Sequence, residues 1–438
     1  MTKIIGLLFV LMLNYGVGQV PSPQTQKYNR ILFKNGSAHI GNGNYIHNSV
    51  LAVENGKILF VKNALTYQLN ESDWDTIIGL NGQHVYPGFI AANITMGLTE
   101  IDAVRATRDF NEVGQINPHI RSLIAYNTDS KVLYTVRTNG VLVTQSTPRG
   151  GLISGASSVM AMDGWNWEDA VYKADDGIHI NWPKKYNRSG WWAEPGKDDA
   201  NEKYNKILAI IYAFFEEAKI YSDIKSPDKT YLKLAAMKSV FKGSQRVYFH
   251  ADFAPEINDI IDFSRHFKLK FPVIVGGYDA HLLAARLNEN NFSVMLGRPH
   301  ALPKFEDDLS YTNYHKAAEL SRLNVPYCIQ SAGDMEVMNA RNLPFLAGTA
   351  WAYGLSEEEA VASISLNVAK ILGVDDRIGS LEAGKDATFF VSEGNALDMR
   401  TNKVSTAMVK GRFILLDNHQ IQLAKKYAKK YDLKEFEP

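Results

Sequence analysis

A single cysteine, Cys328, in a chain of 438 residues leaves no room for an intramolecular disulfide framework or a multi-cysteine metal site. It sits in the apolar run VPYCI and reads as core packing rather than as a nucleophile. Excess charge is missing too: Lys+Arg and Asp+Glu are both 47. That balance gives no argument for nucleic acid or an anionic membrane as a partner. Beyond the N-terminus there is no apolar run long enough to span a bilayer, so no stable membrane span is expected. A Gly-x-Ser-x-Gly nucleophile elbow is absent. The Gly-rich segment 147–170 does not lead into a predicted helix, which argues against a phosphate loop.

What is present begins with an export signal. Lys3 supplies the positive start, Ile4 to Leu13 is apolar, and Gly16-Val17-Gly18 sets small residues before a cut at Gln19. Residues 1–18 are therefore expected to be a signal peptide and the mature protein to be secreted or periplasmic. Hydrophobic residues at 45% and charged ones at 21% fit a soluble globular chain. A barrel of about 250 residues would leave room for a second domain.

The segment 29–88 reads as β. Asn55-Gly56 and Asn81-Gly82 are turn signals, because both residues tolerate positive φ. Short strands bounded by Gly turns recur at 378–416. One small β-sandwich built from both termini is expected, in preference to two independent caps. Between them, over 89–377, strands alternate with amphipathic helices, which implies a parallel sheet closed into a (β/α)8 TIM-like barrel. The helix over 205–221 places Ile207, Ile211, Phe214, Ala218 and Tyr221 on one face, and Ser356 with Glu359 forms a capping box. Residues 417–438 read as a helical tail docked by Tyr427, Tyr431 and Leu433.

The stretch HVYPGFIAANITMGL (84–98) resembles the first barrel strand of the amidohydrolase superfamily. The segment LSEEEAVASISLNVAKILGVDDRIGSLEAGKDATFFV (355–391) is similar to the imidazolonepropionase-like branch. The resemblance implies a hydrolase of carbon–nitrogen bonds other than peptide bonds, with water activated by zinc or another divalent metal. It also implies where ligands should stand. Asn93 and Thr95 occupy the places of the usual first-strand histidine pair, and Ala91 that of the aspartate before it. His250 matches the fifth-strand histidine, Gly276-Gly277 stand where the sixth-strand histidine is expected, and Asp334 is offered by the eighth strand as ligand and proton acceptor. The fourth-strand ligand has no match. With so few ligands, a site without metal is the alternative expectation.

Each remaining candidate carries two readings. His250 is a retained site residue or a hydrogen-bonded structural histidine, and Asp334 a ligand or a loop residue. Arg105, with Arg108 and Arg121, could clasp a substrate carboxylate or make structural ion pairs. Trp165 and Trp167 could wall a pocket or simply pack, and the loop that carries them is expected to cross the barrel mouth. His300 follows the seventh strand and could line the mouth. The first function to weigh is an exported hydrolase of a cyclic amide or dipeptide-like bond. The alternatives are a catalytically silent homologue paired with an active one, and a small-ligand binding protein. A homo- or hetero-oligomer is expected.

Overall fold

The computed structural model describes residues 23–191 and 194–433. The expected signal peptide, 1–18, lies outside them. Two sheets organise the chain. The first takes strands from both ends: β1 (Arg30–His39), β2 (Tyr45–Glu54), β3 (Lys57–Asn63), β4 (Thr76–Gly79) and β5 (His84–Pro87). The second is the barrel: β6 (Phe89–Ile94), β7 (Val141–Ser146), β8 (Ile153–Ala161), β9 (Val171–Asn181), then, after the outlying hairpin β10 (Tyr186–Trp191) and β11 (Glu194–Ala200), β12 (Arg246–Ala251), β13 (Pro272–Gly276), β14 (Ser293–Leu296) and β15 (Tyr327–Ile329). The chain returns to the first sheet with β16 (Phe389–Ser392), β17 (Val404–Val409) and β18 (Arg412–Phe413).

The end sheet runs β18-β17-β16-β5-β1-β2-β3, with β4 also beside β1. β1 is ten residues long, so β4 pairs with its first half and β5 with its second. Its core is Ile31, Phe33, Leu51, Val85, Phe389 and Met408, and Phe33 meets Phe389 edge-on at 5.2 Å. Asn55 (φ 50°) and Gly56 (φ 79°) make the expected turn with both residues left-handed. Lys410 (φ 50°) and Gly411 (φ 80°) form a matching turn from the other terminus. The two turns lie back to back: a Cβ on Gly411 would stand 2.2 Å from the Gly56 Cα. Only glycine permits that approach.

Seven barrel strands are parallel. β8 runs antiparallel between β7 and β9. The segment expected to be a loop over the mouth is thus part of the wall. Its small residues, Gly155, Ala156, Ser157 and Ser158, are buried there, and Gly155 (φ 134°) lies against the Ile120 carbonyl. Because β8 descends, the turn after it, with Trp165, lies at the barrel end where β9 starts, opposite the mouth. Trp165 is 63% exposed there and does not wall the pocket.

Among the described residues no backbone ladder joins β6 to β15. Side chains span that seam, with Asn93 Nδ2 donating to Gln330 Oε1 at 2.8 Å. Outside the barrel, the helix Tyr204–Asp223 buries Ile211, Phe214, Phe215, Ala218 and Tyr221, and the Ser356–Glu359 capping box forms. In the tail helix His419–Lys430 the contact residue is Ala428, not the expected aromatics. Tyr427, Tyr431 and Leu433 are exposed, since Tyr427 is turned about 100° around the helix from Ala428. Among the described residues no helix is long and apolar enough to cross a membrane.

Candidate functional site

The carboxyl ends of the barrel strands open on a cavity of about 1080 Å³, where barrels place their working residues. Its floor has two halves. The first is charged. Asn93 ends the regular part of β6 in a left-handed conformation (φ 51°), where the register with β7 slips. Arg149, from the β7–β8 turn, clasps it: Nη1 donates to Asn93 Oδ1 at 2.7 Å and Nη2 to its carbonyl at 2.8 Å. Nη2 also reaches both Glu336 oxygens, at 3.0 and 3.1 Å. Glu336 in turn accepts the backbone N–H of Thr95 at 2.9 Å and of Gly333 at 3.0 Å. A planar guanidinium with five fixed donors suits this set of oxygens.

The second half is neutral. His250, near the end of β12, and His179, near the end of β9, are joined Nε2 to Nδ1 at 2.9 Å. Burial, and then the Arg149 charge, hold His250 down to about 3. Burial, followed by His250 and Arg149, keeps His179 well below the usual imidazole range. Both rings are neutral near pH 7, so one must donate and the other accept. Beneath them, fully buried, lie Ser157, Asp176, Tyr248 and Gln145.

The sequence-predicted residues divide accordingly. His250 and Asp334 both line the cavity, but in different places. Asp334 is exposed on the rim loop, where its backbone carbonyl accepts from Asn339. Gln330, not Asp334, takes the end of β15 and bonds Asn93. Gly276 ends β13 with φ 105°, and a Cβ there would meet Asp252 Oδ1 at 2.5 Å, so the sixth-strand histidine position does not accept a side chain without a shift. Arg105 does not line the cavity. It opens the short exposed turn Arg105–Thr107, while Arg108 three residues on reaches the mouth. Arg121 is bound by Asp175 at 2.8 Å. His300 also stands outside the lining and binds Thr349 Oγ1 at 2.6 Å.

Arg149, Glu336 and His179 are the residues that sequence reasoning missed. One signal was available for His179. In DDGIHIN, Ile178 and Ile180 alternate with Gly177, His179 and Asn181, a half-polar strand that a barrel wall can use.

The sequence profile of the amidohydrolase family matches residues 245–414. Among curated proteins, an amidohydrolase of Hapsidospora irregularis is 27% identical over 174 residues, 38% of this chain and 17% of that protein. An imidazolonepropionase of Syntrophobacter fumaroxidans is 32% identical over 84 residues, 19% of this chain and 20% of that one. The matched stretches thus span about a fifth or less of those relatives. Among solved structures, an amidohydrolase from Thermotoga maritima MSB8 superposes with a TM-score of 0.74 at 24% identity, covering 88% of this chain and 99% of that one. A Xaa-Pro dipeptidase with methionine bound in its active site gives 0.53 at 14% identity, with coverage of 88% and 99%. The fold is that of the amidohydrolase superfamily, and the family's sequence profile matches residues 245–414 of this chain.

Members of this superfamily generally use divalent metal. The donor set here does not fit one. Catalytic zinc takes about three protein ligands from His, Cys, Asp or Glu. Among the described residues no group of three such side chains is placed to hold a metal ion. The first-strand positions are engaged in the Arg149–Glu336 clasp: Asn93 Oδ1 accepts from Arg149 and the Thr95 N–H donates to Glu336.

Proposed function

We propose that this chain binds a small polar ligand in the barrel mouth and does not hydrolyse it by metal-activated water. The observation that carries this reading is the clasp of Arg149 on Asn93 and Glu336. Its salt bridge and backbone bonds fill the side of the floor where the resemblance puts two metal-binding histidines. An acidic group on the ligand is supported by the cationic side chains of the lining. Arg298 is among them, and its one hydrogen bond among the described residues is a 3.4 Å contact to the Asp334 carbonyl. Its planar fork suits a carboxylate. Export through residues 1–18, and pairing with an active homologue or a second copy, belong to the same proposal.

A second reading, hydrolysis of a carbon–nitrogen bond, is favoured by one observation: His250 remains at a strand end facing the cavity. Elemental analysis separates the two. Protein purified without chelator and then soaked in zinc or manganese is expected to hold far less than one metal per chain. Near-stoichiometric metal that is lost in His250→Ala would favour the hydrolase.

A further inference from the structure

Several cations of the cavity wall are already engaged. Arg149 holds Glu336, Lys304 holds Asp252, and Lys316 donates to the Tyr278 carbonyl at 2.7 Å. Arg298 differs. It follows β14 at the carboxyl end of the barrel and lines the cavity, half-buried. Among the described residues it makes no ion pair, and its 3.4 Å contact with the Asp334 carbonyl uses one of its N–H donors. Packing holds it instead. A Cβ on Gly333 (φ 132°) would stand 2.3 Å from Arg298 Nη2 and 2.8 Å from Cζ, so the guanidinium lies against bare glycine. The Gly333 N–H donates to Glu336, which sets that guanidinium beside the clasp. A planar fork fixed by packing, with its other donors open, is a preformed seat for a carboxylate.

The two loops that hold Arg298 also carry uncovered apolar side chains. Leu302, four residues further on, is 79% exposed, and Met335, two residues past Gly333, is 63% exposed; both line the cavity. Met335 is held left-handed (φ 51°), a conformation that a bulky side chain rarely adopts. Phe253 adds to the apolar lining and rests on Phe305 at 5.5 Å. Covering such surface is favourable, and the unbranched methionine adapts to what covers it. At about 1080 Å³ the cavity is as large as those that enclose drug-sized ligands. A carboxylate on Arg298 alone would leave Leu302, Met335 and most of that space in water.

We infer that the ligand is a carboxylic acid with an apolar arm, its carboxylate paired with Arg298 and its arm laid along Leu302, Met335 and Phe253. The inference rests on the ligand-binding reading and names the class of ligand for that same cavity. The open guanidinium selects the acid over an amine or an alcohol of equal length. The apolar side chains select the longer arm over the shorter. Arg149 and Lys304 do not compete for the carboxylate, because each already faces one.

The test is calorimetric titration of the full chain with butanoate, hexanoate and octanoate, and with 1-octanol and octylamine. Affinity is expected to rise about two- to fourfold with each added methylene. Octanoate is expected to bind about tenfold tighter than 1-octanol or octylamine. Arg298→Met should abolish that preference for the acid. Leu302→Ser combined with Met335→Ser should flatten the dependence on chain length and keep the preference. The inference is overturned by the absence of saturable binding at millimolar octanoate, by affinity that ignores chain length, or by an Arg298→Met protein that binds octanoate as tightly as the wild type. If either variant does not fold, the wild-type series with its alcohol and amine controls decides. Zinc content of the same sample separates the readings. Octanoate binding by protein with stoichiometric zinc would sink the metal-free proposal and leave this one standing, whereas metal-free protein that ignores the acids would sink this one alone.

Discussion

The two halves of the cavity floor solve the same problem in opposite ways. Both hold polar groups out of bulk water. At the β6 side the solution is an ion pair, Arg149 with Glu336, tied into backbone N–H and C=O groups. On the β9 and β12 side it is a pair of neutral imidazoles over the buried Ser157–Asp176 pair. The first half is polar because its charges are matched. The second is polar without net charge at the surface of the cavity. A ligand that enters therefore meets a matched ion pair and two neutral imidazoles within one floor.

The contrast can be broken most sharply at Arg149. Arg149→Ala leaves Glu336, only 11% exposed, without its counter-ion, and the Asn93 carbonyl without its donor. Loss of one partner of such a pair is expected to cost about 3 kcal/mol, read as a lowered urea midpoint. Arg149→Met with Glu336→Gln should recover part of that loss. On the neutral side, Tyr248→Phe removes one donor from Asp176 and is expected to cost about 2 kcal/mol in the same experiment. It should do so without moving the Arg149 half.

The pH profile sharpens the comparison further. His250, held down to about 3 in the folded protein, titrates near 6.5 once unfolded. The unfolded chain therefore binds the extra proton first. Stability is retained above about 6.5 and falls as pH drops toward 3, by up to ~1.4 kcal/mol per pH unit for this one group. His250→Gln should flatten that slope by about one proton. The smallest effect is expected at Trp165. Exposed at the far end of the barrel, its change to Ala should stay within about 0.5 kcal/mol and leave ligand binding at the mouth untouched.

Legibility in the sequence followed local physics. The Asn-Gly turns, the capping box at Ser356 and the helix over 205–221 were readable because each is determined within a few residues. The barrel followed from alternating strands and helices. The antiparallel β8 did not, since a run of Gly, Ala and Ser carries no apolar periodicity and reads as loop. The loss of the first histidine pair was visible at Asn93 and Thr95. What replaced it was not, because Arg149 and Glu336 lie 56 and 243 positions from Asn93 in a chain that brings them together only when the barrel closes. His179 was passed over for want of a neighbouring histidine in sequence, and its partner lies 71 residues on.

The back-to-back turns at Gly56 and Gly411 bear on how the chain is made. The end sheet begins with the first strands to be synthesised, yet β5 finds its partner β16 only after the whole barrel has emerged, with Pro87 opposite Phe389. Until then the edge of β5 is open and Phe33 lacks the ring of Phe389. The barrel is thus the natural first unit to fold, and the sheet is the clasp that fastens its two loose ends. A ribosome-bound chain cut short of β16 would display that unpaired edge, the kind of surface that invites association between nascent copies.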